Sequence, residues 1–243
     1  MIALLADIHA NLEAFEACLA HARGQGATRF ALLGDLVGYG ADPGPVVDRA
    51  AALAADGAIV VKGNHDEAVE RTPTYLNDMA QAAIEWTRTA LTPSQKGFLA
   101  GLPLSQCDAA HCYVHASADR PSRWTYVDGA TAAAQSMQAS ALPYTFCGHV
   151  HDQRLYFEDA DARVGAFRPT AGTPIPIPRH RRWLAIAGSV GQPRDGDASA
   201  AYALVDKERI TFHRVAYDHR AAAAKIRAAG LPEILAYRIE HGV

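Results

Sequence analysis

Five short polar clusters in this chain carry side chains able to bind a metal ion or move a proton. In order they are Asp7 and His9 in "DIH", Asp35 in "GD", Asn64 and His65 in "GNHD", His115 in "VH", and His149 and His151 in "GHVH". Five of the eleven histidines fall in these clusters. Carboxylate, imidazole and amide are the donors that suit divalent transition metals in oxygen-and-nitrogen coordination. Each cluster has an ordinary explanation when taken singly: a lone histidine is commonly a hydrogen-bonded structural residue, and an aspartate at a strand end commonly caps a turn or helix. That explanation has to be repeated five times, each time at the end of an apolar run, so coincidence is a poor account.

The elements that must position these residues follow from the periodicity. "IALLAD" (Ile2 to Asp7), "RFALLGD" (Arg29 to Asp35) and "AIVVKG" (Ala58 to Gly63) read as buried strands separated by helices, the first helix capped by Asn11. Short apolar strands joined by helices imply a parallel sheet covered on both faces, and in such sheets ligands bind beyond the carboxyl ends of the strands. Thr74 to Ala100 reads as helical, with Thr92-Pro93 ending one helix and starting another. Further strands are expected at His111 to Ala116, Tyr144 to His149, Trp183 to Ser189, Ala201 to Asp206 and Arg209 to Val215. The last two form a hairpin at Lys207-Glu208, and this half reads as more antiparallel. Arg168 to Arg182, with its repeated prolines, reads as an extended surface excursion, and Ala221 to Ala224 as part of a C-terminal helix ending at Gly230 and Pro232.

With 243 residues, 49% hydrophobic and 20% charged, the chain has ample core for one domain spanning residues 1–243. A formal charge of −3 without long runs of either sign argues against an electrostatic grip on a nucleic acid polymer or an anionic membrane. Cys18, Cys107, Cys112 and Cys147 form no CxxC pair, so neither a zinc knuckle nor a CxxC redox motif is written here, and four free thiols in the cytoplasm are expected. The start lacks a basic signal-peptide region and no apolar run has the roughly 20 residues of a membrane helix, so a soluble intracellular protein is expected.

The ordered set DxH, GD, GNHD, H and GHxH resembles the calcineurin-like metallophosphoesterases, and "GSVGQPRDGD" (Gly188 to Asp197) is similar to a segment of the bacterial small-phosphodiesterase branch. The resemblance implies an α/β fold, a four-layer α/β/β/α sandwich with mixed sheets. It also implies two divalent metal ions (manganese, iron, zinc, nickel or cobalt), one held by Asp7, His9, Asp35 and His151, the other by Asp35, Asn64, His115 and His149, with Asp35 bridging. His65 matches the family position that binds no metal and approaches the substrate oxygen as acid or hydrogen-bond donor. Two such ions about 3.5 to 4 Å apart share a bridging hydroxide for in-line attack at phosphorus. With only Asp7 and Asp35 charged, the cluster keeps a net positive charge that draws an anionic phosphoester.

The reading is therefore a dinuclear-metal phosphoesterase acting on phosphodiesters, nucleotides or other small phosphorylated metabolites. Its alternative is a phosphomonoesterase, either a phosphoprotein phosphatase or a diadenosine-polyphosphate hydrolase. "GDLVGYG" (Gly34 to Gly40) departs from the GDxVDRG pattern of the phosphoprotein phosphatases, with Gly38 and Tyr39 in place of an Asp-Arg pair. Arg194, Arg123 and Arg120 are candidate phosphate contacts. Trp124 and Tyr126 could stack on a base or pack in the rim, and Tyr39 adds a further candidate contact. Asp66 either orients His65 or, as the simpler reading of Asp66 and Glu67, places a carboxylate at a helix N-terminus. Gly34, Gly63 and Gly148 are read as tight turns into the site. A non-catalytic protein-binding scaffold on the same fold is the rival from another class, and it is disfavoured because all eight positions keep suitable side chains.

Overall fold

The computed structural model describes residues 1–71 and 77–243. β1 (Ile2–Leu5), α1 (Leu12–Gly24), β2 (Arg29–Leu32), α2 (Pro43–Ala55), β3 (Ile59–Val60) and α3 (Asn64–Glu70) give the expected alternation. α4 (Asp78–Ala90), α5 (Pro93–Ala100), β4 (Ser105–Cys107), β5 (His111–Val114), a 3-10 turn at Pro121–Arg123, α6 (Ala130–Ser140) and β6 (Tyr144–Cys147) follow. The chain then runs through β7 (Arg154–Glu158), β8 (Val164–Phe167), β9 (Pro174–Pro176), β10 (Trp183–Ile186), β11 (Ala200–Asp206), β12 (Arg209–Val215), α7 (His219–Ala228) and α8 (Glu233–His241). Asn11 caps α1 by accepting from Ala14 N–H at 3.1 Å, and Thr92 and Gln95 form a reciprocal cap on α5. The expected helix start at Thr74 lies outside the described residues.

Two six-stranded mixed sheets are stacked, in orders β3-β2-β1-β11-β12-β9 and β4-β5-β6-β10-β7-β8. Alternation along the strands assigns the layers. Ala3 and Leu5 of β1 face Phe15 and Leu19 of α1 and Val46 of α2, whereas Ile2 and Leu4 face the second sheet's Tyr113, Phe146 and Trp183. Ala133 and Met137 of α6 cover the outer face of the second sheet through Val114, Cys147, Leu184 and Ile186. This is the α/β/β/α order. Among the described residues no helix is long and apolar enough to cross a membrane.

The structure differs from the sequence reading in three ways. The apolar runs were read as strands through Asp7, Asp35, Gly63, Ala116, His149 and Ser189, but the ladders stop two or three residues earlier. At three of these ends a left-handed non-glycine residue breaks the strand: Asp7 (φ 53°), Asp35 (φ 51°) and His149 (φ 68°). The later strands are also less antiparallel than expected. β11 and β12 form the hairpin, with Asp206 opposite Arg209, but β5, β6 and β10 are mutually parallel. The crossover helix that permits this, α6, was not read because "ATAAAQSMQAS" has few large apolar residues to mark a face. Finally, the proline-rich excursion contains β9, which pairs with β12 at the sheet edge, where prolines do not interrupt a ladder.

Candidate metal centre

The loops after β1 and β2 continue the pairing of their strands in a twisted form. Asp7 N–H donates to Gly34 O (3.1 Å), His9 N–H to Asp35 O (2.9 Å) and Ala10 N–H to Leu36 O (2.9 Å). The loop after β10 straps over them: Ser189 Oγ donates to Asp7 O at 2.8 Å, and Val190 and Gly191 N–H donate to Ala6 O and Asp7 O. Gly63 and Gly148 serve close approach rather than turning. A Cβ on Gly63 would lie 2.1 Å from Asp35 N, and one on Gly148 2.5 Å from Asp7 Oδ2. Of the three glycines read as turns, only Gly34 is left-handed, with φ +86°.

Three imidazoles are oriented by backbone carbonyls. His9 Nδ1 donates to Val37 O (3.2 Å), His115 Nδ1 to Leu33 O (2.8 Å) and His151 Nδ1 to Gln192 O (2.6 Å). A carbonyl only accepts, so the proton of each neutral ring sits on Nδ1 and Nε2 turns a lone pair inward. These lone pairs converge. His9 Nε2 lies 3.1 Å from His151 Nε2, and His115 Nε2 lies 3.1 Å from both His149 Nδ1 and Asn64 Oδ1. Asp7 Oδ1 is 3.3 Å from His151 Nε2, and Asp35 Oδ2 is 3.3 Å from His115 Nε2 and 3.8 Å from His9 Nε2. Acceptors buried this closely repel unless a cation or proton sits among them. The donor set therefore fits divalent cations, and among the described residues three buried groups have metal-binding spacing: Asp7, His9 and His151; His9, Asp35 and His65; Asp35, His115 and His149.

The protonation states agree. Burial drives His9 well below its ordinary value although Asp35 opposes it, and burial together with His115 brings His149 down to about 3. Burial disfavours the charged forms of Asp35 and His115, but their mutual attraction overrides it. Asp35 is held well below the usual carboxylate range, and His115 rises to about 9. A histidine forced positive in a buried site marks a place where positive charge is wanted.

His65 has a different environment. Its backbone N–H donates to Asp35 Oδ1 at 2.8 Å, its Nδ1 is buried without a partner, and its ring packs against Tyr39 (4.5 Å) and His9 (5.0 Å). Gly38, left-handed at φ +88°, makes room for it, since a Cβ there would lie 2.6 Å from His65 Nδ1. Asp66 does not orient this ring. It accepts from Leu36 N–H (2.9 Å), Val37 N–H (3.2 Å) and Gly63 N–H (2.9 Å), tying α3 to the β2 loop.

The calcineurin-like phosphoesterase superfamily domain matches residues 1–209. The chain belongs to this superfamily. An uncharacterized protein of Methanocaldococcus jannaschii is 32% identical over 250 residues, covering 98% of this chain and 97% of the relative. A metallophosphoesterase from Sphaerobacter thermophilus superposes with a TM-score of 0.89 at 37% identity, covering 100% of this chain and 98% of that one. A hypothetical protein from Pyrococcus horikoshii OT3 shares the fold, with a TM-score of 0.80 at 20% identity over 100% of this chain and 99% of its own.

Beside the metal-suited groups of this calcineurin-like domain lies a cavity of about 320 Å³, lined by Tyr39, Asn64, His65, Asn77, Ala80, Arg123, Trp124, Tyr126 and His149. Of the six residues put forward as substrate contacts, Tyr39, Arg123, Trp124 and Tyr126 meet there with His65. Arg194 does not line the cavity. It donates to Gln192 Oε1 at 2.9 Å, and its Cζ lies 5.9 Å from the Tyr39 ring. Arg120 pairs with Asp119 on the surface. Trp124 is only 7% exposed and its indole N–H donates to Glu67 Oε2 at 2.9 Å, so it is a fixed wall, and Glu67 anchors it. Tyr126 is 50% exposed and stacks on the His149 ring at 3.9 Å. The carbonyls of Leu33, Val37 and Gln192 that aim the histidines lie in the quoted segments "RFALLGD", "GDLVGYG" and "GSVGQPRDGD", but no residue type or spacing there marked them.

Proposed function

We propose that the chain is a dinuclear-metal phosphoesterase that hydrolyses phosphodiesters, with nucleotides and other small phosphorylated metabolites as its substrate class. The observation that carries this reading is the ring of inward-facing ligand atoms from Asp7, His9, Asp35, Asn64, His115, His149 and His151, in which neighbouring imidazole nitrogens and carboxylate and amide oxygens lie 3.1 to 3.8 Å apart. Two divalent ions held by Asp7, His9 and His151 on one side and by Asn64, His115 and His149 on the other, with Asp35 shared, would supply Lewis acidity and a nucleophile at neutral pH.

The chain's own residues do the rest. His65, not engaged by a carbonyl and packed beside Asn64 at the cavity wall, donates a hydrogen bond or proton to the departing ester oxygen. Burial lowers its pKa, so its neutral form dominates near pH 7 and keeps a ring N–H to donate. Asn64 and Tyr39 wall the entry to the cavity, and Arg123 meets the anionic charge. The room beyond His65 suits a second ester substituent, which favours a diester, and Gly38, required by the His65 ring, stands where the phosphoprotein phosphatases carry the Asp of their Asp-Arg pair. Four free cysteines suit a reducing, cytoplasmic setting.

The test is hydrolysis of bis-p-nitrophenyl phosphate beside p-nitrophenyl phosphate by chelator-stripped protein, with and without manganese. Metal-restored diester cleavage is the expected result. Preference for the monoester would favour the phosphatase reading, and inactivity with every divalent metal would favour a scaffold.

A further inference from the structure

At the edge of the second sheet, β4 and β5 form a hairpin in which Cys107 stands directly opposite Cys112. The adjacent pair is hydrogen-bonded, since Asp108 N–H donates to His111 O at 2.9 Å. Cys107 and Cys112 therefore occupy a non-hydrogen-bonded position, where facing side chains lie on one side of the ladder and Cα atoms are about 4.5 Å apart. That spacing falls within the ~4.4–6.8 Å that a disulfide spans. The two sulfurs are 2.9 Å apart, both cysteines are free, and Cys107 is exposed while Cys112 is buried behind it. Cys18 and Cys147 are buried and have no such partner.

We propose that Cys107 and Cys112 form an oxidation site that closes to an intrachain disulfide when the protein meets a peroxide or a small disulfide. With hydrogen peroxide, the exposed Cys107 thiolate attacks one peroxide oxygen and hydroxide leaves, giving a sulfenic acid. The Cys112 sulfur then attacks the Cys107 sulfur, its proton leaves with the departing hydroxide as water, and two thiols and one peroxide have become one disulfide and two waters. With oxidised glutathione, the two electrons go instead to two molecules of glutathione. Burial pushes the Cys112 thiol up to about 12, which makes it a poor first attacker and leaves it the resolving sulfur. The contact already present means that closure needs no rearrangement of the strands.

The experiment treats the reduced, full-length protein under native conditions with hydrogen peroxide or oxidised glutathione, then alkylates, cleaves on the N-terminal side of Asp108 and weighs the peptides. The expected result is a loss of about 2 Da, two hydrogens, in a joined pair of peptides carrying Cys107 and Cys112. Cys18 and Cys147 stay alkylated, and dithiothreitol reverses the change. In Cys112→Ser, Cys107 should instead accumulate a glutathione adduct or sulfinic acid. The exposed change Cys107→Ser should leave Cys112 unmodified. A wild-type protein in which Cys107 alone is modified, or in which neither sulfur reacts, overturns the proposal.

Discussion

The loops of the first sheet and those of the second reach the crevice with different contents and different support. The first sheet brings both carboxylates, Asp7 and Asp35, together with His9 and Asn64, on loops whose backbones hydrogen-bond to each other. The second brings only the imidazoles His115, His149 and His151. Two of these are seated on the first sheet, His115 on Leu33 O and the His149 N–H on the Asp7 carboxylate, while His151 rests on Gln192 O in the strap bound to Asp7. The first sheet is the frame and the source of negative charge, and the second hangs imidazole donors on it. Damage to the frame should therefore spread across the crevice, and damage to a hung donor should stay local.

Asp35→Asn is the largest test of that asymmetry. It removes the charge facing His9, His115 and the His65 N–H at once. Metal affinity should fall by at least about 100-fold and diester hydrolysis should drop to background, with metal content after dialysis as the readout. His151→Ala in the second sheet leaves the Asp35, His115 and His149 group intact, so about half the bound metal should remain. Equal loss of metal from the two variants would mean that the sheets contribute alike.

His65→Ala should separate turnover from metal content, because His65 belongs to the frame side yet only its backbone N–H contacts Asp35 through a hydrogen bond. Turnover should fall by roughly 10²–10⁴-fold, the range for loss of a positioned proton donor, with bound metal unchanged. If metal is lost in proportion to activity, His65 is a ligand.

Much of this site could be read from the sequence because each polar residue follows an apolar run, so the order of the strands carries the order of the metal-suited residues. Asp7, His9, Asp35, Asn64, His115, His149 and His151 converge where the strand pattern put them. The strand ends were less legible, since left-handed Asp7, Asp35 and His149 break the ladder at residue types that the apolar pattern does not flag. The tautomer-fixing carbonyls of Leu33, Val37 and Gln192 were not legible, because a carbonyl is common to every residue and only the fold says where it points. α6 escaped for a similar reason, being specified by tertiary packing through Ala133 and Met137 rather than by a strong apolar stripe.

The metal-free protein should also show the asymmetry in its pH dependence. His115 is raised from 6.5 to about 9 by the frame's carboxylates, which outweigh the opposing effect of burial, so it binds its proton more tightly folded than unfolded. That contribution is complete below about pH 6.5 and is lost as pH rises through about 9. Asp66, raised by burial and Asp35 from 3.8 to about 7, has its full contribution below 3.8 and loses it as pH rises through about 7, so only the end of that loss falls in this window. His149, lowered to about 3, acts in the opposite sense, being stabilising above 6.5 and losing that contribution only as pH falls. With chelator present, Tm should decline from pH 6.5 to 9, and manganese should abolish the decline because the ion takes the place of the His115 proton. A flat chelated profile would mean that the carboxylates do not charge His115.

The smallest effect is expected at Tyr126, which belongs to neither frame nor ligand set. It is 50% exposed, lies against the His149 ring at 3.9 Å with 23° between planes, and lines the cavity with Arg123 and His65. Its exposed face is free for an aromatic or nucleobase substituent, and one such stack contributes about 0.5–1.5 kcal/mol, a factor of about 2 to 10 in binding. Tyr126→Ala should therefore raise KM for bis-p-nitrophenyl phosphate by that factor while kcat and metal content stay constant. The ring also shields His149, whose Nε2 is buried without a partner, so a competing role exists in which Tyr126 holds that ligand in place. In that case the variant loses metal and kcat falls with it. The split between KM and metal content thus decides whether His149, the most exposed of the second sheet's three site histidines, is held by the frame alone, through the Asp7 carboxylate, or needs its own cover.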